Sequence, residues 1–218
     1  MSSKKHVFIV VIAVLILDQF SKIYIKTHFV LGQEWVVFDW FKILFVENEG
    51  MAWGAKLSDF SSFISDKTAK LFLTVFRLIA VVGIGYWLHS TIKKQTCTHL
   101  IYAIALIFSG ALGNIIDSVF YGVIFNDRLS QKATLFAENS YGTFFHGKVV
   151  DMLHFPIFKG YFPEWIPVFG GDYFTFFNPV FNVADVAIST GVGLLLLYNN
   201  KAFGGKQKTT QSDKSALV

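Results

Sequence analysis

The sequence predicts an α-helical integral membrane protein: four transmembrane helices, a small extracytoplasmic β-sheet and a long extracytoplasmic insert before the fourth helix. Three observations lead to this prediction. Of the 218 residues, 53% are hydrophobic and only 16% are charged, whereas soluble domains carry roughly 25% charged residues. Four apolar stretches are long enough to cross a bilayer. The region after the first stretch instead carries short runs of aromatic and β-branched residues, which favour strands.

The four spans are expected near residues 6–26, 69–92, 99–121 and 178–198, because each approaches the roughly 20 residues that a bilayer requires. The first span follows two lysines, as the apolar core of a signal peptide does, but no small-x-small cleavage site comes after it. We therefore expect it to stay in the protein as an uncleaved helix.

Residues 29–57 are expected to form the small sheet at the membrane surface, where their tryptophans suit the headgroup level. The connector 122–177 is too long for a bare loop, and its aromatic residues and prolines predict an ordered insert at the membrane interface. The polar tail 201–218 is expected to be disordered. The sequence thus predicts a single membrane domain in residues 1–200.

Positive charge orients the spans. Lysines cluster at the amino terminus, between the second and third spans and in the tail, and the positive-inside rule places these regions in the cytoplasm. Both termini are then cytoplasmic, and the sheet and the insert lie outside. The net charge of +4 forms no basic stripe, so we expect no nucleic-acid partner. A lone cysteine, Cys97, excludes an internal disulfide.

The polar side chains within the predicted spans all fall in the outer half of the membrane, as the helical rise of about 1.5 Å per residue places them. They are Asp18, Lys22, Arg77, Asn114, Asp117 and Asp185. The inner halves of the spans are apolar. This distribution predicts one aqueous pocket that opens to the outside, rather than a channel through the membrane.

Two acids in apolar sequence are the main candidates for catalysis. Asp185 lies near the start of the fourth span, and Asp151 lies in the run 149–152 of the insert. An acid within a membrane segment is costly and is usually functional. Two such acids brought together share a proton, which leaves one base and one acid. Hydrolysis of a peptide bond by an activated water needs this pair of groups.

Other polar residues form short patterns. Asp18 and Lys22 are four residues apart on one helix face, which favours a buried structural ion pair over a direct catalytic role. Asn114 and Asp117 also share a helix face, and we expect this face to lie against other polar groups. Gly50 suits a turn, and Asn48 is suited to offer its amide to a peptide backbone, although a plain turn explains the segment equally well.

Several other classes remain as alternatives. His146, Asp151 and His154 would be candidate metal ligands, but no His-Glu-x-x-His motif is present, so we expect no metal and no cofactor. A Ser-His-Asp triad stays open, without a nucleophile-elbow motif to support it. A proton-coupled carrier would use the intramembrane acids as a relay. A membrane scaffold would use the small residues 109–113 as a packing face.

Five short motifs occur in order along the chain: Asp18-x-x-x-Lys22, Asn48-x-Gly50-x-Ala52, Gly113-Asn114-x-x-Asp117, Val150-Asp151 and Phe181-Asn182-x-Ala184-Asp185. Together they resemble the lipoprotein signal peptidase family, signal peptidase II, over roughly residues 7–198. The resemblance implies an aspartic endopeptidase of the bacterial inner membrane. Such an enzyme removes the signal peptide of a prolipoprotein just before its diacylglyceryl-modified cysteine, with no cofactor.

The resemblance also implies roles for individual residues. Asp151 and Asp185 match the catalytic aspartates of the family. The positions that match its supporting residues are Asp18, Lys22, Asn48, Gly50, Ala52, Asn114, Asp117 and Asn182. We expect a monomer that is surrounded by membrane lipids and takes a prolipoprotein as its partner.

The chain departs from the family pattern at two places. The family usually has an arginine directly after the aspartate of the third-span motif, where this chain has Ser118. The segment 122–148 is also largely inserted. Arg77 and Arg128 are the two arginines that remain to replace the missing one. We favour Arg77, at the depth of Asn114, over the alternative that it extends to the outer headgroups.

Overall fold

The computed structural model describes residues 4–49, 65–126, 131–136, 138–176 and 178–198. Four of the sequence predictions fall outside these described residues: the roles of Gly50 and Ala52, the position of Arg128, and the state of the tail 201–218. The predicted end of the sheet beyond residue 49 falls outside them as well.

Three helices are long and apolar enough to cross a membrane among the described residues. They are α1 (Lys4–His28), α2 (Asp66–Lys93) and α3 (Thr98–Ile124). Helix α3 is central, since it contacts α1, α2 and the later helix α4 (Val183–Leu197). At the end of the bundle where α1 begins, the buried core is apolar, with Val7, Leu88 and Ile104 among its members.

Helix α4 begins five residues later than the predicted start of the fourth span. Asn182 has an extended backbone and caps the helix: its side chain accepts a hydrogen bond from the backbone N–H of Asp185 at 3.0 Å. The Asp185 carboxylate in turn accepts one from the Asn182 N–H at 3.2 Å, which completes a capping box. The described helix has 15 residues, or about 22 Å, so a fourth complete span stays a prediction.

Small residues let α4 lie against α3. A Cβ placed on Gly110 would lie 2.3 Å from the carbonyl oxygen of Ala184, and one on Gly191 would lie 2.6 Å from that of Ala103. Gly113, which was expected to serve helix packing, lies against two helices: a Cβ on it would lie 2.6 Å from the Asp18 carboxylate of α1 and 3.4 Å from the Cβ of Ala184. Close packing of this kind holds the start of α4 against the middle of α3.

The sheet has four antiparallel strands in the order β1-β2-β3-β6. Strands β1 (Glu34–Phe38) and β2 (Phe41–Asn48) form the hairpin that the sequence predicts. Strands β3 (Val149–His154) and β6 (Val180–Phe181) come from the connector and extend the sheet on the far side of β2. Asp151 is thereby placed on a central strand, opposite Val46 of β2.

The rest of the connector folds in two parts. The first part returns along the end of α3, where Phe145 N–H bonds the carbonyl of Val119 at 3.1 Å and Gly147 N–H bonds that of Ser118 at 2.9 Å. The second part is a separate hairpin of β4 (Phe158–Tyr161) and β5 (Tyr173–Phe176). Backbone hydrogen bonds therefore order these two described parts of the connector, and its position outside the membrane stays a prediction.

Candidate active site

Asp151 lies in the middle of β3, and its side chain is almost completely buried at 4% exposure. One carboxylate oxygen accepts a hydrogen bond from the Asn182 side-chain amide at 2.7 Å, and the other accepts one from the Asn48 amide at 3.2 Å. Strand pairing explains the second contact, since Asn48 ends β2 next to β3. Each oxygen of the carboxyl group thus accepts a hydrogen bond from an asparagine amide.

Asp185 lies in the first turn of α4 and is half-buried. Its Oδ1 accepts a hydrogen bond from the Asn114 side-chain amide at 2.9 Å, and its Oδ2 accepts the Asn182 N–H of the capping box. Asn182 therefore contacts both aspartates, one through its side chain and the other through its backbone. The structure brings together the two acids that the sequence singled out, with one asparagine joining them.

The environment of Asp151 raises its pKa to about 7. Burial is the largest cause, because it penalises the charged carboxylate, and the negative charge of Asp185 adds to it. The hydrogen bonds from Asn48 and Asn182 act in the opposite direction, since they favour the ionised form. Near neutral pH, the Asp151 carboxyl group is therefore divided between its protonated and ionised forms.

A buried ionic cluster lies beside the two aspartates. The Lys22 ammonium lies 2.8 Å from Asp18 Oδ2 and 2.7 Å from Asp117 Oδ2, and the side chains of all three residues are fully buried. The predicted pair of Asp18 and Lys22 is present, and Asp117 is its third member. The same ammonium donates a hydrogen bond to Asn114 Oδ1 at 2.8 Å.

Asn114 connects this cluster to the aspartates. Its Oδ1 accepts hydrogen bonds from Lys22 and, at 3.1 Å, from the Asn182 side chain. An ammonium can only donate, so it fixes the oxygen of Asn114 on its own side. The amide nitrogen must then face Asp185, as the hydrogen bond at 2.9 Å requires.

Sequence reasoning missed two members of the cluster, Gln19 and Tyr121. The Gln19 amide donates to Asp18 Oδ2 at 3.1 Å and to Asp117 Oδ1 at 2.9 Å, and the Tyr121 hydroxyl donates to Gln19 Oε1 at 3.2 Å. The sequence did offer a signal for Gln19, because a polar amide next to Asp18 in an apolar helix needs hydrogen-bond partners. Asp18 also accepts the backbone N–H of Ala184 at 2.9 Å, which ties α1 to the start of α4.

Arg77 is half-buried on α2, and the carboxylates of Asp185 and Asp151 both act on its guanidinium electrostatically. Ser118, where the family usually has arginine, is buried, and its hydroxyl donates to the Asn114 carbonyl at 3.1 Å. Gly147 covers this part of α3 so closely that a Cβ on it would lie 2.0 Å from the Asp117 carbonyl oxygen. Position 118 therefore contacts the returning connector.

The candidate metal ligands are not assembled into a site. His146 bonds Thr143 and the Phe144 carbonyl at 2.9 Å each, whereas His154 lies 3.1 Å from the Asn178 side chain. Within the described ranges, no three His, Cys, Asp or Glu side chains are grouped to hold a metal ion.

Comparison with solved structures defines the class of protein first. Two structures described as bacterial membrane enzymes, at 2.3 and 1.9 Å resolution, superpose with TM-scores of 0.54 and 0.57 at 25% sequence identity. The first comparison covers 99% of this chain and 95% of the solved one, and the second covers 91% and 94%. The chain therefore has the fold of a bacterial membrane enzyme.

Comparison with protein families gives the particular assignment. The model of the family described as Signal peptidase (SPase) II matches residues 10–200. A lipoprotein signal peptidase of Porphyromonas gingivalis is 46% identical over 88% of this chain and 82% of its own length. One of Amoebophilus asiaticus is 35% identical over 84% and 72%. The chain belongs to the signal peptidase II family, which processes prolipoproteins, and membership implies a protease of a bacterial membrane.

The buried ionic cluster generates a stability prediction. Asp18→Ala removes one of the two carboxylates that face Lys22 and leaves the Ala184 N–H without its acceptor. We expect a loss of about 3 kcal/mol, the low end of the range for breaking a buried pair, because Asp117 still faces the lysine. Thermal unfolding of the purified protein in detergent measures it.

Asp18→Asn is the matched control, since it keeps the shape and one acceptor oxygen, which can accept from the Ala184 N–H or from Lys22 but not from both, and it removes the charge. Its unfolding temperature should lie between those of the parent protein and of Asp18→Ala. An Asp18→Ala protein as stable as the parent, but without activity, would move Asp18 from the support of the site into its chemistry.

Proposed function

We propose that this protein is an aspartic endopeptidase that removes the signal peptide of a prolipoprotein just before its diacylglyceryl-modified cysteine. The observation that carries the proposal is the joining of Asp151 and Asp185 through Asn182, within a chain of the signal peptidase II family. The two carboxyl groups and one water supply what hydrolysis of a peptide bond needs. The direct test is incubation of the purified protein with lipidated and unlipidated prolipoprotein.

In the proposed mechanism, Asp185 is the base and Asp151 is the acid. Asp185 lies in the first turn of α4, where the helix dipole favours a carboxylate. It accepts a proton from the attacking water. Asp151, whose pKa of about 7 favours the protonated form below neutral pH, donates its proton to the carbonyl oxygen as the tetrahedral intermediate forms.

Collapse of the intermediate returns both groups to their starting states. The proton on Asp185 goes to the leaving amine, and the proton on the intermediate's hydroxyl returns to Asp151 as the carbonyl re-forms. No proton is gained or lost by the pair over the cycle, and no covalent intermediate is needed.

The neighbouring asparagines position the pair. Asn182 holds both carboxyl groups, and Asn48 holds the second oxygen of Asp151. Asn114 keeps its amide on Asp185 because Lys22 binds its oxygen. We assign the ionic cluster of Asp18, Lys22 and Asp117 to this support rather than to the reaction.

We further propose four spans with both termini in the cytoplasm and the aspartates near the outer face. Lys93 ends α2, close to the turn before α3, and Lys4 begins α1. The positive-inside rule favours the cytoplasm for these ends. The sheet lies at the opposite ends of the helices, where a lipid-anchored scissile bond would meet the aspartates. We propose a monomer in contact with membrane lipids.

The apolar core at the end where α1 begins supports an enzyme over a proton-coupled carrier. A carrier needs polar groups that continue toward the other face of the membrane. The described core at that end instead includes Val7, Val11, Leu100 and Ile104. The buried acids and Lys22 are concentrated near the sheet, which suits a pocket with one opening.

The proposed pair generates the central prediction. Asp151→Asn and Asp185→Asn should each lower the rate of cleavage by about a hundredfold to ten-thousandfold, because asparagine keeps the shape but transfers no proton in this role. Cleavage of a lipidated prolipoprotein by purified, folded variants measures it. Asp172→Asn, at an exposed acid of the β4–β5 hairpin, is the control and should cleave normally. Near-normal turnover by either site variant would refute the pair.

The raised pKa of Asp151 generates a pH prediction. Because Asp151 acts as the protonated acid, kcat/KM should fall as the pH rises through about 7. Asn48→Ala should move this fall to higher pH, since the hydrogen bond from Asn48 favours the ionised carboxylate and lowers its pKa. Asn178→Ala, which affects only the contact with His154, serves as the control. A fall that stays in place or moves to lower pH in Asn48→Ala would contradict the assignment.

Arg77 is the proposed replacement for the missing family arginine. Both aspartates act electrostatically on its guanidinium, whose forked donors suit a peptide backbone. Arg77→Gln should therefore lower kcat/KM for the lipidated substrate and leave the fold intact. Unchanged kinetics in this variant, with a clear loss in Arg128→Gln, would assign the role to Arg128. Unchanged kinetics in both would mean that the site works without a replacement.

A further inference from the structure

The hairpin of residues 157–176, which contains β4 and β5, pairs with no other strand of the described chain. Its own backbone hydrogen bonds order its loop: Phe162 N–H bonds the Asp172 carbonyl at 2.9 Å, and Gly170 N–H bonds that of Ile166 at 2.9 Å. None of its side chains that the structure describes belongs to the two buried hydrophobic cores. Two-stranded hairpins that stand alone in water are marginally stable at best, so this one needs a covering surface.

The hairpin exposes an unusually large apolar surface for a segment that would lie in water. Seven large apolar or aromatic side chains are each more than half exposed. They are Ile157, Phe158, Tyr161, Trp165, Val168, Phe169 and Tyr173. At the loop, Trp165 is 81% exposed and Val168 is 89% exposed. An apolar patch of this kind on a folded protein marks a contact surface.

Aromatic rings cluster within the hairpin and also where the chain leaves the main sheet to enter it. Within the hairpin, the rings of Phe162 and Phe174 stack at 4.3 Å, and Phe158 lies 5.8 Å from Phe174. At its base, Phe155 stacks on Phe41 at 4.7 Å and on Phe181 at 5.6 Å. Aromatic clusters therefore lie within the hairpin and on the main sheet beside β6, which directly precedes the apolar helix α4.

The chemistry of this surface fits lipid better than a dry protein contact. Tryptophan and tyrosine prefer the membrane–water interface, where the ring is buried and the N–H or O–H stays wet. The hairpin sequence carries only three charged residues, Lys159, Glu164 and Asp172. The hairpin follows β3 and precedes β6, and these two strands pair with each other beside the start of α4.

We propose that this hairpin inserts its loop, around Trp165 and Val168, into the lipid interface of the membrane. The contact has a consequence for the site, because Asp151 lies on the strand before the hairpin and Asp185 follows the strand after it. Anchoring of the hairpin fixes the depth of both segments in the bilayer. The proposal depends on the membrane location of the protein and not on its catalytic mechanism.

Fluorescence quenching tests the insertion. Trp35, Trp40, Trp53 and Trp87 are changed to phenylalanine, so that Trp165 alone reports, and the full chain is reconstituted into phosphatidylcholine vesicles with or without bromine on the acyl chains. We expect Trp165 to lose most of its emission in the brominated vesicles. A chain that keeps only Trp87, in the apolar helix α2, is the positive control. Equal Trp165 emission in both kinds of vesicle would overturn the proposal.

Substitution in the same reporter chain separates insertion from mere proximity. Val168→Glu should lower the inserted fraction about tenfold or more, because a charge replaces an apolar side chain. Asp172→Asn, at the other side of the loop, should not lower it. Quenching that survives Val168→Glu unchanged would overturn the proposal. Two other outcomes would also overturn the proposal. Quenching that is seen only when lipidated prolipoprotein is present would identify the substrate as the covering surface. Shielding of Trp165 that depends on protein density, and not on bromine, would identify a second copy of the chain.

Discussion

The Lys22 ammonium, held between Asp18, Asp117 and Asn114, is the contact on which the rest of the site depends. It joins α1 to α3, and Asp18 extends the connection to α4 through the Ala184 N–H. A charge in an apolar bundle is costly unless it is paired and hydrogen-bonded. The cluster meets this requirement with fully buried partners, so the three helices have one mutual arrangement in which the lysine is paired and hydrogen-bonded. Through Asn114, the same arrangement also sets the direction of a hydrogen bond to Asp185.

Much of this fold could be predicted from local sequence. Apolar length alone identified α1, α2 and α3, and aromatic and β-branched runs identified the β1–β2 hairpin. The spacing of Asp18 and Lys22 predicted their ion pair, since residues four apart share a helix face. The addition of β3 and β6 to the sheet could not be predicted in this way. Strand β3 pairs with β2 across about a hundred positions and with β6 across the second hairpin, and local periodicity carries no information on such contacts.

The sequence singled out the two acids that Asn182 joins in the candidate site, but it predicted fewer of the contacts around them. Asp151 and Asp185 were identifiable because an acid in apolar sequence demands an explanation. Asp117 faces the same lysine as Asp18 only because α3 packs against α1, and the sequence of a single helix does not specify that packing. Asn182 and Asp185 were interpreted as site residues only, although their spacing is also that of a helix cap. This second role is why α4 starts at Val183 and not at 178.

The capping box at Asn182 and Asp185 narrows the ways in which this protein can be made more robust. Most helices can be strengthened at their first turn by exchanging the capping residues, a common and functionally harmless route to extra stability. Here the side chain of Asn182 and the carboxylate of Asp185 serve the helix and the proposed reaction at once. Natural variation and protein engineering therefore have to add stability elsewhere in the bundle, because a substitution at either capping residue would also change the proposed active site.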